Sequence, residues 1–105
     1  MKRTEATSPY EAAIFAAEIG EAPSIDLHEE NVNIALARLE TFLHHEMMSG
    51  TEVIKIIHGR GTGTLRGAIH IWLQKQTALV PYFRDTETTH GAGGVTYAAL
   101  YRIKR

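Results

Sequence analysis

At 105 residues with 44% hydrophobic content, the chain holds apolar material for one core and not for two. It has no cysteine, which excludes a disulfide framework and a thiolate zinc site. Its net charge of -1 lacks the basic excess of a dedicated nucleic-acid binder, so any such binding has to rest on a local patch.

The first element is a helix over residues 9–19: Ser8 caps it, Pro9 takes the first helical position, Glu11 completes a capping box and Gly20 stops it. Glu21-Ala22-Pro23 links it to a short strand, Ser24 to His28, which carries Asp26 and His28. Val32, Ala35, Leu36, Leu39, Phe42, Leu43 and Met47 then mark one face of a helix over roughly 30–48, ended by Gly50. Val53 to Ile57 is a β-branched run of strand length. Leu65, Ala68, Ile69, Trp72 and Leu73 recur at helical spacing after it, and two further strands follow at 79–83 and 95–103. Residues 84–94 between them form a polar loop rich in threonine and glycine. No run reaches transmembrane length and no signal peptide opens the chain, so the expectation is a cytoplasmic protein with no membrane partner; its oligomeric state stays open, a monomer being one option.

Strand, helix, strand over 24–57 is a βαβ unit, whose right-handed crossover sets both strand C-termini on one edge, about 4.8 Å apart if the strands are neighbours. Asp26 and His28 then share an edge with His58 and with the turn holding Gly59, Gly61 and Gly63. Backbone N–H groups of such a turn and of a helix N-terminus converge on one spot and suit a phosphate. Arg60 and Arg66 add planar forks for phosphate oxygens. If the 79–83 strand runs parallel to the first two, the loop overhangs this edge, with Arg84, Asp85 and His90 able to reach in. Singly, each of Asp26, His28 and His58 reads as structural; together they form an acid/base set, in which an aspartate can fix the tautomer of a histidine and raise its pKa. His44, His45 and His70 read as surface histidines, and Trp72 and Tyr82 as core. Tyr97 and Tyr101 are base-stacking groups if their side of the sheet is open, and core if the N-terminal helix covers it.

Three segments carry a resemblance to a known family. Ile25-Asp26-Leu27-His28, then His58-Gly59-Arg60-Gly61-Thr62-Gly63-Thr64-Leu65-Arg66, then Gly91-Ala92-Gly93-Gly94-Val95-Thr96 resemble the three ordered motifs of the Smr (small MutS-related) domain. The resemblance implies a two-layer α/β sandwich of βαβαββ order with a four-stranded mixed sheet, similar to the C-terminal domain of translation initiation factor three. On that reading residues 1–23 are a helical extension and linker, and 24–105 the Smr-like domain. It also implies nucleic-acid binding and, in several members, endonuclease activity, nicking DNA in some and cleaving RNA in others. The family's first motif usually continues with glycine after the histidine; this chain has Glu29, whose carboxylate could repel phosphate or help to bind a metal.

The expected site is therefore catalytic at Asp26, His28 and His58, and phosphate-binding at Gly59, Arg60, Gly61, Gly63, Arg66, Arg84 and His90. For phosphodiester cleavage the acid/base set would activate a nucleophile, protonate the leaving oxygen, or hold Mg2+ or Mn2+ through Asp26 and an imidazole. The expected partner is DNA or RNA. A nucleic-acid-binding module without cleavage, favoured by Glu29 and the acidic balance, and a structural or protein-interaction domain stay open beside it.

Overall fold

The computed structural model describes residues 8–86 and 93–102. α1 (Pro9–Ile19) starts as the sequence dictates: the Ser8 side chain accepts from the Glu11 N–H and the Glu11 side chain accepts from the Ser8 N–H, both at 3.1 Å. β1 (Ser24–Asp26) is followed by α2 (Val32–Met48), where Asn31 rather than an earlier residue is the cap, accepting from the N–H groups of Asn33 and Ile34. β2 (Val53–Ile57) leads to α3 (Thr64–Gln74). β3 (Tyr82–Asp85) and β4 (Val95–Ala99) complete the sheet.

The four strands form one mixed sheet in the order β1-β2-β4-β3. β1 and β2 are parallel, with Asp26 opposite Ile57, while β4 is antiparallel to both β2 and β3. The C-terminal ends of β1, β2 and β3 therefore share one edge with the start of β4.

Side-chain alternation divides the core between two faces. Ile54, Ile56, Ala98 and Leu100 pack with Leu39 and Leu43 of α2 and Ile69 and Leu73 of α3. Val53, Tyr97 and Ala99 pack against Ile14 of α1. α1 thus adds a third layer to the expected two, and it decides the open question about Tyr97, which is buried beneath it; Tyr101 stays half exposed. Trp72 packs on the α2/α3 core and Tyr82 on the α1 side, as expected for core residues.

β3 begins three residues later than the apolar run suggested. Pro81 has no N–H to give to a ladder, so pairing starts at Tyr82, and the preceding residues turn back with the Leu79 and Val80 N–H groups on Gln76 O. Arg84 and Asp85 consequently lie on a strand, pointing to opposite sheet faces, instead of in a loop. β4 ends at Ala99, short of the expected 103. Among the described residues no helix is long and apolar enough to cross a membrane.

Candidate functional site

The shared edge begins with the end of β1. The Leu27 N–H reaches Ile57 O at 2.7 Å, which carries the chain one residue past the ladder beside β2. Asp26 Oδ1 accepts from the His28 N–H at 3.1 Å and lies 2.6 Å from His28 Nδ1. A carboxylate can only accept there, so His28 Nδ1 carries the hydrogen and Nε2 is the ring atom left for chemistry. The side-chain hydrogen bond from His28 lowers the Asp26 pKa, and the same bond, reinforced by the charges of Asp26 and Glu29, raises that of His28.

Glu29 then takes φ 65, the one left-handed non-glycine residue among those described. Its position explains the glycine usual there: the chain must reverse from β1 into α2, and the Glu30 N–H closes the turn on Leu27 O at 3.0 Å. Glu30 in turn accepts from Arg38 Nη1 at 2.9 Å.

The end of β2 faces this turn. Gly59, at φ 78, sits so close to His28 that a Cβ on it would lie 3.1 Å from the His28 Cβ, so glycine here is what lets the first and second motifs meet. The N–H groups of His58 and Gly59 both donate to Gly94 O, at 3.0 and 3.1 Å, which docks the third motif on the second. Gly63, at φ 89, precedes α3 and has no side chain with which to cap it, while the Thr64 N–H reaches Thr62 Oγ1 at 3.4 Å. Thr64, Leu65 and Arg66 line the cleft, so the positive end of α3 borders it. The cleft, about 380 Å3, is lined by His28, His58, Arg60, Arg66 and the glycine turn, and also by Glu29 and Glu30.

His28 and His58 border one cleft but differ in kind. His28 is exposed; His58 is 4% exposed, and burial pushes its pKa down. Its Nδ1 donates to Gly59 O at 3.0 Å and its Nε2 lies 2.9 Å from Thr96 Oγ1. Thr96, fully buried, also stands 2.9 Å from His70 Nε2 and 2.7 Å from Asp85 Oδ1. Asp85 Oδ1 is 3.0 Å from His70 Nε2, while Oδ2 accepts from Arg66 Nε at 2.7 Å. Burial works to raise the Asp85 pKa, and the hydrogen bonds from Arg66 and Thr96 outweigh it, so the carboxyl is held below its ordinary value.

The structure thus joins Asp26 to His28 directly, sets both against the glycine turn, and draws His58 into a second group with residues the sequence reading had placed elsewhere. His70 is a correction: it faces inward from α3, four residues after Arg66 and three before buried Leu73, a helical spacing that could have assigned it to that face. Thr96 carried no sequence signal beyond its place in the third motif. Arg84, expected at the cleft, lies on the opposite sheet face, where Nη1 and Nη2 donate to Glu18 of α1 at 3.1 and 2.7 Å. Lys55 is on that face too, and Arg102 pairs with Glu52. His44 and His45 are exposed on α2, and His90 lies outside the described residues.

The Smr domain profile matches residues 25–101. The Endonuclease MutS2 of Halothermothrix orenii is 37% identical over 79 residues, 75% of this chain and 10% of that protein, so the chain spans about a tenth of the length of the curated relatives it matches. The crystal structure of the Smr domain of Thermus thermophilus MutS2 superposes with a TM-score of 0.71 at 33% identity, covering 75% of this chain and 98% of that one. YdaL, a stand-alone small MutS-related protein from Escherichia coli, shares the fold with a TM-score of 0.74 at 22% identity, over 96% of this chain and 82% of its own. A mixed sheet that brings the ends of β1 and β2 and the start of β4 to one edge, together with these matches across three quarters of its length, shows that this chain belongs to the Smr domain family.

Proposed function

We propose that the cleft binds the phosphodiester backbone of DNA or RNA and cleaves it, with His28 as the general acid or base. The observation that carries this reading is the Asp26–His28 pair against the left-handed glycine turn: a solvent-facing imidazole with its tautomer fixed, beside backbone amides and two arginines that suit a phosphate. Asp26 acts by orienting His28 and supporting its charge. His58, with both ring nitrogens engaged, holds the turn in shape. Mg2+ and Mn2+ are not well served by Asp26: such ions take several oxygen ligands, whereas Asp26 Oδ1 already faces two His28 donors and the neighbouring Glu30 carboxylate is held by Arg38.

The test incubates the purified chain with labelled single-stranded RNA, supercoiled plasmid and linear duplex, with and without magnesium or manganese. Cleavage of at least one substrate should fall by roughly 100- to 10,000-fold in His28→Ala and in Asp26→Asn, and survive in His44→Ala. Cleavage that persists in both site variants would refute the assignment. The second reading, a binding module without cleavage, has its own observation: Glu29 and Glu30 put carboxylates on the rim of the phosphate cleft.

A further inference from the structure

We infer that His58 Nε2, His70 Nε2 and Asp85 Oδ1 form a binding site for a borderline divalent transition ion of the zinc type, separate from the Asp26–His28 pair. One ligand atom from each of these three residues lies within 4.8 Å of those of the other two. Two imidazoles and one carboxylate are the donor set such ions prefer, with a fourth position left over, whereas Mg2+ and Ca2+ prefer oxygen alone. Donors at zinc bonding distance in a tetrahedron stand about 3.4 Å apart. His70 Nε2 and Asp85 Oδ1 are already 3.0 Å apart, and Thr96 Oγ1, 2.9 Å from each imidazole nitrogen, supplies an oxygen among them.

The surroundings of the ligands argue more strongly than their spacing. An imidazole that binds a metal through one nitrogen usually gives its other N–H to a backbone carbonyl or a carboxylate, which fixes the lone pair toward the ion. His58 has this arrangement: Nδ1 donates to Gly59 O at 3.0 Å, which leaves the lone pair of the neutral ring on Nε2. Asp85 is oriented likewise, since Arg66 takes Oδ2 and turns Oδ1 inward.

The Thr96 hydroxyl has one hydrogen, and it goes to Asp85 Oδ1, a carboxylate oxygen 2.7 Å away that can only accept. The His58 lone pair, 2.9 Å from the same hydroxyl oxygen, then receives no hydrogen from it. A divalent ion would fill that place: His58 Nε2 and Asp85 Oδ1 already present lone pairs, and His70 would carry its hydrogen on Nδ1 to present Nε2. The ion would tie together the ends of β2 and β3, through Asp85 beside β4, and the middle of α3.

The experiment uses the whole chain, stripped by chelator and titrated with Co2+ and then Zn2+. One equivalent of Co2+ should produce visible d–d bands, and Zn2+ should abolish them. Zn2+ should also raise the thermal midpoint, with a roughly 100-fold shift in the folding equilibrium at a free concentration 100 times the Kd. His70→Ala and Asp85→Asn should lose the bands. His28→Ala and the double variant His44→Ala, His45→Ala should keep them. In the wild type, Zn2+ should move the imidazole NMR signals of His58 and His70 and leave that of His28 in place, a readout that needs no variant to fold. Folded wild-type protein without bands or a midpoint change, or bands that survive His70→Ala, would overturn the inference and leave the group as a closed hydrogen-bond network. Metal binding without nuclease activity would leave it standing, because it does not rest on cleavage at His28.

Discussion

Replacing Glu29 with glycine separates backbone strain from charge at the mouth of the cleft. At φ 65 the Glu29 Cβ crowds its own backbone, at a cost of roughly 1 to 2 kcal/mol that glycine does not incur. Glycine loses more chain freedom on folding, which takes back roughly 0.5 to 1 kcal/mol. Glu29→Gly should therefore be more stable by about 0.5 to 1 kcal/mol, seen as a rise of roughly 2 to 8 °C in Tm for a domain of this size. Glu29→Ala keeps the strain and removes the charge, so its stability should stay close to that of the wild type. Affinity should divide the other way: both variants remove a carboxylate from the rim of the phosphate cleft, and both should bind a short oligonucleotide more tightly than the parent at low salt. Urea denaturation and fluorescence anisotropy read the two effects. A Glu29→Gly variant no more stable than Glu29→Ala would refute the backbone argument, whatever happened to affinity.

Four other outcomes follow from the same geometry. Gly59→Ala combines the left-handed cost of roughly 1 to 2 kcal/mol with a Cβ 3.1 Å from His28, whereas Gly63→Ala meets nothing within 4 Å, so denaturation should show the first variant to be the less stable and only the first should displace His28. Glu18→Ala strips a partner from Arg84 beneath α1 and should cost about 3 kcal/mol, while the double change Glu18→Leu with Arg84→Met should recover much of that loss. The NMR titration of His28 should have its midpoint above the ordinary value of about 6.5 and return toward it in Asp26→Asn; since its folded pKa is raised, the stability the pair contributes is complete below the ordinary value and is lost as the pH climbs through the raised one. Arg60→Ala should weaken oligonucleotide binding by a similar factor for unrelated sequences and reduce the salt slope by roughly one unit, whereas an unchanged slope would place the phosphate contact elsewhere.

The elements were legible where a local rule fixed them. Ser8, Pro9 and Glu11 dictate the start of α1, and the β-branched run at Val53 to Ile57 is the strand itself. Misplacement began where one residue overrode a pattern: Leu79 and Val80 look like strand, but Pro81 cannot donate, and the ladder starts after it. That shift of three residues is enough to convert Arg84 and Asp85 from neighbours in a loop into groups on opposite faces, one tied to α1 and one to α3. The candidate site divides in the same way. Asp26 and His28 lie two residues apart, so their contact is a local matter and their pairing could be read from the sequence. The group around Thr96 joins residues up to 38 apart, and only the antiparallel return of β4 between β2 and β3 brings the hydroxyl beneath His58. Strand order is what the sequence leaves open: with β3 next to β2, Asp85 and Thr96 would exchange places relative to His58, and the same residues would make a different site. A histidine between two isoleucines looks like a surface residue until the sheet beneath it ends in polar groups. His70 faces inward because the apolar rows of Ile54–Ile56, Phe83 and Ala98 terminate in His58, Asp85 and Thr96, and a buried polar layer needs a donor from the helix above it.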